Sequence, residues 1–232
     1  MTGGLNAFLP STAFLRVTTM AHAESGSVTV LQHPLGQHHL SGLRAAETPP
    51  ALFRFHAEVL AGLLATEVTR DLPLTEADLR TPLEVTVGRR LSARVVLVPI
   101  LRAGLGMTAP FLQLIPEIEV RHLGIRRDEE TAMPVSYYDR LPGHSPPEIA
   151  IIVDPMLATG GSAVHAAASL AAWGVTDIRL VCLLAAPEGI LRVQQEFPGV
   201  RIFTAVIDRQ LNSRSYILPG LGDAGDRIFN TL

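Results

Sequence analysis

The chain has no lysine: all 19 of its cationic residues are arginine. That absence excludes the Gly-Lys-Ser/Thr loop of Walker-type nucleotide binders. Cysteine is nearly absent as well. Cys182 is the only one in 232 residues, so no internal disulfide can form. Set in the apolar run Leu180 to Leu184, it reads as a buried strand residue suited to a reducing cytoplasm. A basic excess is also missing. The formal net charge is -3 and the isoelectric point near 6.2, which argues against sequence-independent nucleic-acid binding. Hydrophobic residues make up 47% and mean hydropathy is +0.29, yet no uninterrupted apolar stretch reaches the length of a membrane span.

Metal-ligand spacing is lacking too. His33, His38 and His39 are the closest group of the eight histidines, without cysteines or acids beside them, and read as part of a solvated segment. Met1 to Ser27 has neither the basic start nor the long apolar core of a signal peptide. It reads as a disordered extension or the product of an early start codon, with Met20 nearer the true beginning. Residues 28–232 are then expected to form a single domain.

What is present is concentrated between Ile149 and Ser162. The β-branched run Ile149-Ala150-Ile151-Ile152-Val153 ends in Asp154. A short loop then closes on Thr159-Gly160-Gly161-Ser162, and Ala163 to Trp173 follows at helical spacing. Strand, loop and helix in that order build a phosphate cradle, because glycines let N–H groups turn inward and a helix start adds unpaired donors. Asp154, at a strand's carboxyl end, is placed to accept from sugar hydroxyls. Acid and cradle together point to a ligand carrying ribose and phosphate. The Rossmann fingerprint does not fit, since its glycines follow the strand directly.

The rest of the chain repeats strand and helix. Thr48-Pro49-Pro50 predicts a helix opening with a capping hydroxyl, followed by apolar residues at helical spacing from Leu52 to Leu64. Leu83 to Val87 alternates like a half-buried strand, and Gly88-Arg89-Arg90 reads as a turn. Strands are predicted at Val95–Pro99, Ile118–Ile125, Ile149–Val153, Ile178–Leu184 and Arg201–Ile207. Helices are predicted within Gly104–Ile115, over Ala163–Trp173 and over Pro187–Phe197. Continuous apolar strands separated by helices mean an α/β fold with a mostly parallel sheet covered on both faces, here with a small N-terminal helical/β appendage. Ligands in such sheets bind beyond the strands' carboxyl ends.

Four segments at those ends carry unusual residues. Val98 to Gly106 sets Arg102 between a buried strand and a glycine turn, a planar cation fit to clamp a diphosphate. Arg126 to Thr131 is a charged run, followed by Met133 to Tyr138. Asp154 to Ser162 is the cradle. Tyr216 to Asp226, near the C-terminus, holds three glycines and two acids, with Tyr, Ile and Leu that favour a packed loop.

These segments resemble a known family. Val98-Pro99-Ile100-Leu101-Arg102-Ala103-Gly104-Leu105-Gly106-Met107, Arg127-Asp128-Glu129-Glu130-Thr131, Asp154-Pro155-Met156-Leu157-Ala158-Thr159-Gly160-Gly161-Ser162, Ala185-Ala186-Pro187-Glu188-Gly189, Ile207-Asp208 with Leu211-Asn212, and Tyr216 through Asp226 are similar to the uracil phosphoribosyltransferases. Their fold is that of the type I phosphoribosyltransferases. His33-Pro34-Leu35 matches near the start, so the resemblance runs from there to the C-terminus. Arg126 departs from it, standing where the family often has an aromatic residue, and Met1 to Ser27 has no counterpart.

The resemblance implies transfer of phosphoribose from 5-phosphoribosyl 1-diphosphate (PRPP) to uracil, giving UMP and diphosphate in pyrimidine salvage. It implies that Arg102 and Arg127 contact the diphosphate and that Asp154 holds the ribose hydroxyls. Pro155, Met156 and Leu157 would line the phosphoribosyl site, and Ala158, Thr159, Gly160, Gly161 and Ser162 would cradle the 5′-phosphate. Asp223 would approach the phosphoribosyl ligand, while Ile217, Gly222, Asp223 and Ala224 would meet the base. Asp154 and Arg102 are the expected catalytic groups, and Mg²⁺ would arrive on the diphosphate rather than in a protein cage. A cytoplasmic homodimer or larger homo-oligomer, with GTP as a possible effector, completes the implication. The rival from another class is a nucleotide-sensing regulator on the same fold, which would call for a basic face, whereas this chain is slightly acidic, with 19 basic against 22 acidic residues.

Overall fold

The computed structural model describes residues 27–127, 134–139 and 145–231, and the side chains of all of these except 126, 127, 134–137 and 139. Residues 1–26, read above as an extension, and Asp128 to Met133 of the charged run lie outside the described residues.

In chain order the elements are β1 (Val28–Val30), α1 (Pro34–Arg44), α2 (Pro50–Val68), β2 (Leu74–Arg80), β3 (Val85–Leu91), β4 (Val95–Leu101), a 3-10 turn (Ala103–Met107), α3 (Thr108–Leu114), β5 (Glu119–Val120), β6 (Leu123–Arg127), β7 (Pro134–Asp139), β8 (Ile149–Val153), β9 (Met156–Leu157), α4 (Gly161–Trp173), β10 (Asp177–Ala185), α5 (Pro187–Glu196), β11 (Arg201–Ile207), β12 (Gln210–Leu211), β13 (Ile217–Leu218) and α6 (Ala224–Phe229). The main sheet runs β1-β11-β10-β8-β4-β6-β7. Every neighbour in it is parallel except β6 with β7.

Successive strand residues point to opposite faces, so strands that are apolar at every position need cover on both sides. Leu97, Ile151 and Val181 pack with Phe53, Leu60 and Leu64 of α2. Their neighbours Val96, Ile152, Leu180 and Cys182 pack with Ala163, Ala166, Ala167 and Leu170 of α4. Each large side chain so removed from water contributes about 1.5–3 kcal/mol. The parallel, doubly covered sheet is the predicted one, and β8 and β11 begin and end at the predicted residues.

Several local expectations are corrected. Thr48 does not cap α2; Pro49 holds the cap position, and the Thr48 hydroxyl donates to the Gly42 carbonyl at 2.7 Å. Gly88-Arg89-Arg90 is no turn but the middle of β3, with Gly88 opposite Ala77. The turn lies at Thr81–Glu84, where the Thr81 hydroxyl accepts from the N–H groups of Leu83 and Glu84. Nor is that strand half-buried: Leu83 is 95% and Val85 70% exposed. The predicted strand Ile118–Ile125 is divided into β5 and β6, which pair with β4 in one continuous register, Leu97 opposite Val120 and Ile100 opposite Leu123.

The largest correction concerns the histidines. His33-Pro34 opens α1, with the His33 ring accepting from the Leu35 N–H at 3.1 Å, and His39 is buried on that helix. Its Nδ1 lies 2.9 Å from Nδ1 of His56 on α2. The reading of this region as solvated fails for His39, because helical spacing turns it inward while His38 stays at the surface.

At the amino ends of β10 and β11, Arg179 and Arg201 are buried and share Asp71 and Asp177 at 2.6–3.0 Å. Burial opposes the ionisation of Asp71, but hydrogen bonds from Arg201 and Arg179 outweigh it and hold that carboxyl below its usual range. This network ties α2's end to the sheet and leaves the carboxyl edge free for the site.

Candidate active site

At the carboxyl edge the chain leaves β8 at Val153 and is at once tied to β10. The Asp154 N–H donates to Val181 O at 3.1 Å, and the Pro155 carbonyl accepts from Leu183 and Leu184. Met156 and Leu157 then pair with Leu184 and Ala185 as β9. The loop that carries the acid is thus part of the sheet rather than a free excursion. Gly160 caps α4 with φ of +77°, a left-handed conformation natural to glycine, and a Cβ there would lie 2.9 Å from Gly189 O. Ser162 is the second residue of that helix. Gly189 in turn admits the Ala158 carbonyl, where a Cβ would overlap it. That close approach accounts for a glycine in Ala185 to Gly189, one of the matched segments.

Two adjoining cavities open here. One, of about 150 Å³, is formed by residues 156–163 with Asp154, Leu180 and Cys182. It contains the predicted cradle residues Ala158, Thr159, Gly160, Gly161 and Ser162, together with Leu157. The other, of about 330 Å³, brings Arg102 to Ile217, Gly222, Asp223 and Ala224. Asp154, Met156 and Ala158 belong to both. One shared acid therefore stands between a glycine cradle and a backbone-rich loop. Pro155 lines neither cavity; it is buried, with its carbonyl engaged by β10. Arg127 ends β6 on this edge, but its side chain is outside the described residues.

Charge in the site is poised rather than satisfied. Burial pushes the Asp154 carboxyl up to about 7, and its contact with the Met156 N–H, at 3.4 Å, works weakly the other way. Arg102 follows a cis peptide bond after Leu101. Its side chain is 60% exposed and meets Asp226 at 3.4 Å, a loose surface pairing of the kind worth about 0–1 kcal/mol. A ligand with two phosphates competes easily with that. Beneath the cradle, burial pushes the Cys182 thiol up to about 12, so it stays neutral and inert.

Sequence reasoning missed other residues that shape the larger cleft. Ala103, Ser215, Tyr216 and Gly225 also line it. The Asn212 carboxamide accepts from the N–H groups of Arg214 and Tyr216 at 2.9 and 3.0 Å, folding the approach to the loop. Glu188 accepts from the Leu211 N–H at 2.9 Å. Arg227 donates to the carbonyls of Leu43, Ala45 and Leu221 and lies 4.3 Å over the Phe53 ring. Asp208, buried at the end of β11, pairs with Arg44. Its position mirrors that of Asp154, an acid closing an apolar strand, and that pattern was the available signal. Arg44 and Arg227 had none, since their partners are distant in sequence.

Known proteins share this arrangement. The family described as uracil phosphoribosyltransferase matches residues 30–231. A uracil phosphoribosyltransferase of a Roseiflexus species is 52% identical over 204 residues, covering 88% of this chain and 98% of its own. One from an Exiguobacterium species is 49% identical over 207 residues, covering 89% and 99%. A solved structure of an Aquifex aeolicus protein aligns with a TM-score of 0.82 at 38% identity, over 87% of this chain and 97% of its own. With half of its residues shared along nearly the full length of such relatives, and the matched segments 98–107, 154–162 and 216–226 meeting at one cleft, the chain belongs to the uracil phosphoribosyltransferase family.

Proposed function

We propose that this protein transfers the 5-phosphoribosyl group of PRPP to uracil, forming UMP and releasing diphosphate. The observation that carries the reading is the shared position of Asp154, between a glycine cradle sized for a phosphate and a loop rich in backbone polar groups. Uracil N1 attacks C1 of the ribose as the C1–O bond breaks; the bonding pair leaves with diphosphate, and the N1 proton passes to solvent. Positive charge grows on the sugar and negative charge on the departing group, so the protein's task is positioning and electrostatic stabilisation. Asp154 accepts from ribose hydroxyls and offsets the charge at C1. Residues 158–162 hold the 5′-phosphate with N–H groups at the start of α4. Arg102 swings from Asp226 to the diphosphate, joined there by Arg127. The segment from Ile217 to Ala224 offers main-chain groups to the base.

The donor set of the cleft suits Mg²⁺ carried by the diphosphate, since Asp154 and Asp223 both line it and hard cations take carboxylate oxygens. The ion would neutralise charge on the leaving group. Release of diphosphate from PRPP and Mg²⁺ in the presence of uracil tests the assignment. Release with another base but not with uracil would refute it.

The chain is also read as a homodimer or larger assembly. Leu83, Val85 and Val87 stand exposed on the β2–β3 hairpin, and a two-stranded hairpin is marginal in water by itself. Sedimentation of the parent chain and of Leu83→Asp checks this; a parent that is monomeric at micromolar concentration rules it out.

A further inference from the structure

The wall of the cleft assigned to the base has little regular structure to hold it. β13 is two residues long, and no helix or strand covers 219–223. Besides the bond from Arg227 to the Leu221 carbonyl, an ion pair behind it holds this wall in place. Asp208 is the first residue after β11, and its side chain is only 4% exposed. Its Oδ2 accepts from the Gly220 N–H at 3.0 Å. The same carboxylate takes both forks of Arg44, Nη1 at 3.0 Å and Nη2 at 2.5 Å. Arg44 Nη1 also donates to the Gly220 carbonyl at 2.9 Å. Gly220 is therefore gripped on both its N–H and its C=O by one pair, a buried acid and a half-buried arginine. At φ of +63° it doubles the chain back toward Ile217, and a Cβ there would overlap the Ile217 carbonyl.

We propose that Arg44 and Asp208 are positioning residues for base recognition: together they set the Gly220 peptide and so aim the main-chain groups from Ile217 to Ala224 at the base. This rests on the reading of that segment as the base site. Neither residue lines the cleft, so they act through the backbone. Main-chain groups have no rotamers with which to correct a tilt. An error at Gly220 passes directly to Ile217 on one side and to Gly222 on the other. Arg44 suits the role because only a planar fork engages a carboxylate with two bonds while also reaching a carbonyl. The phosphate cradle, built on β9 and α4, does not depend on the pair.

The test is steady-state kinetics of the full chain, varying uracil at saturating PRPP and the reverse, with cytosine as the competing base. Asp208→Asn keeps the shape but removes the countercharge of Arg44. It should raise KM for uracil about tenfold or more, change KM for PRPP less than about twofold, and reduce the preference for uracil over cytosine. Arg44→Lys, which keeps the charge but not the fork, should show a smaller change with the same pattern. It carries the test if Asp208→Asn does not fold. A proportional loss for both substrates in step with a lower melting temperature would show a merely structural role and overturn the proposal. Ala224→Val, which crowds the cleft itself, separates the two readings. If it raises KM for uracil while Asp208→Asn and Arg44→Lys do not, the pair has no positioning role although the base site stands. If it leaves uracil binding unchanged, the base lies elsewhere and both readings fall.

Discussion

At Asp154 the role proposed for one residue stands against stability. Its carboxyl, raised from 3.8 to about 7 by burial, costs the empty protein free energy wherever it is ionised. The unfolded chain has released that proton above pH 3.8, while the folded chain keeps it until about 7. The group's effect on stability is therefore absent at acid pH and grows more unfavourable as pH rises through this window. Asp154→Asn should match the parent in melting temperature near pH 4 and exceed it at pH 8, while turnover falls about 100-fold or more. Melting curves at the two pH values beside initial rates check this; a variant less stable at pH 8, or one with parental turnover, removes Asp154 from its assigned role. Arg102 is the complementary case, a cation that is only loosely held. Arg102→Ala should reduce kcat/KM for PRPP about 10- to 100-fold with little change in melting temperature. A change confined to uracil affinity would contradict contact with the diphosphate. Both residues were legible in the sequence, because a charged side chain where an apolar run meets a glycine turn has few structural uses. Asp208 shares only the first half of that pattern, an acid closing an apolar strand with no glycine turn after it. Its partner lies 164 positions away, and no local pattern can reveal a pairing that only folding creates.

Helices and strands differed in legibility for equally physical reasons. β8, β10 and β11 were readable because burial on both faces demands continuous apolar sequence. The hairpin misled, since its apolar residues face outward and Gly88 serves inside a strand rather than at its turn. α1 was missed because its residues are polar apart from a few, and its start is made by a histidine ring and a proline instead of a hydroxyl. That helix is joined to α2 by the His39–His56 contact. Burial, with the charges of His56 and His38, holds the His39 ring below the ordinary 6.5. Phe55 is the other ring packed against it, with centroids 5.7 Å apart. The sign opposes that of Asp154. As pH falls below 6.5 the unfolded chain takes up a proton that folded His39 refuses, so this stabilisation is complete above 6.5 and is lost toward acid pH. Relative to the parent, His39→Asn should lose less melting temperature between pH 7.5 and 5.5. Parallel curves for the two proteins would show that His39 does not titrate with folding.

For the molecule as a whole, topology was more accessible than its edges. The order of parallel strands follows from where apolar runs fall and from the need to cover them, whereas an edge strand of three residues carries almost no periodic signal. β1 is that edge. Val28, Thr29 and Val30 lie opposite Ile202, Phe203 and Thr204 of β11. Ile202 donates to the Ser27 carbonyl and Leu31 donates to Thr204, each at 2.9 Å, and the Leu31 side chain is buried in the core shared with α1 and α2. The family match begins at residue 30, within this strand. A chain starting at Ser27 keeps every one of these bonds, so it should fold, melt within a few degrees of the full chain, and retain kcat/KM for uracil within about twofold. A chain starting at Gln32 loses the strand and exposes the edge of β11. It also gives up the burial of Leu31, about 2–3 kcal/mol, together with its backbone bonds. Its melting temperature should fall by about 5–10 °C, and β11, the strand that delivers Asp208 to the loop proposed to meet the base, should become the least protected of the central strands in amide exchange. If the chain starting at Ser27 were itself insoluble or inactive, the first 26 residues would have a part in folding or assembly. If both shortened chains behaved like the parent, β1 would be dispensable and the sheet would effectively end at β11.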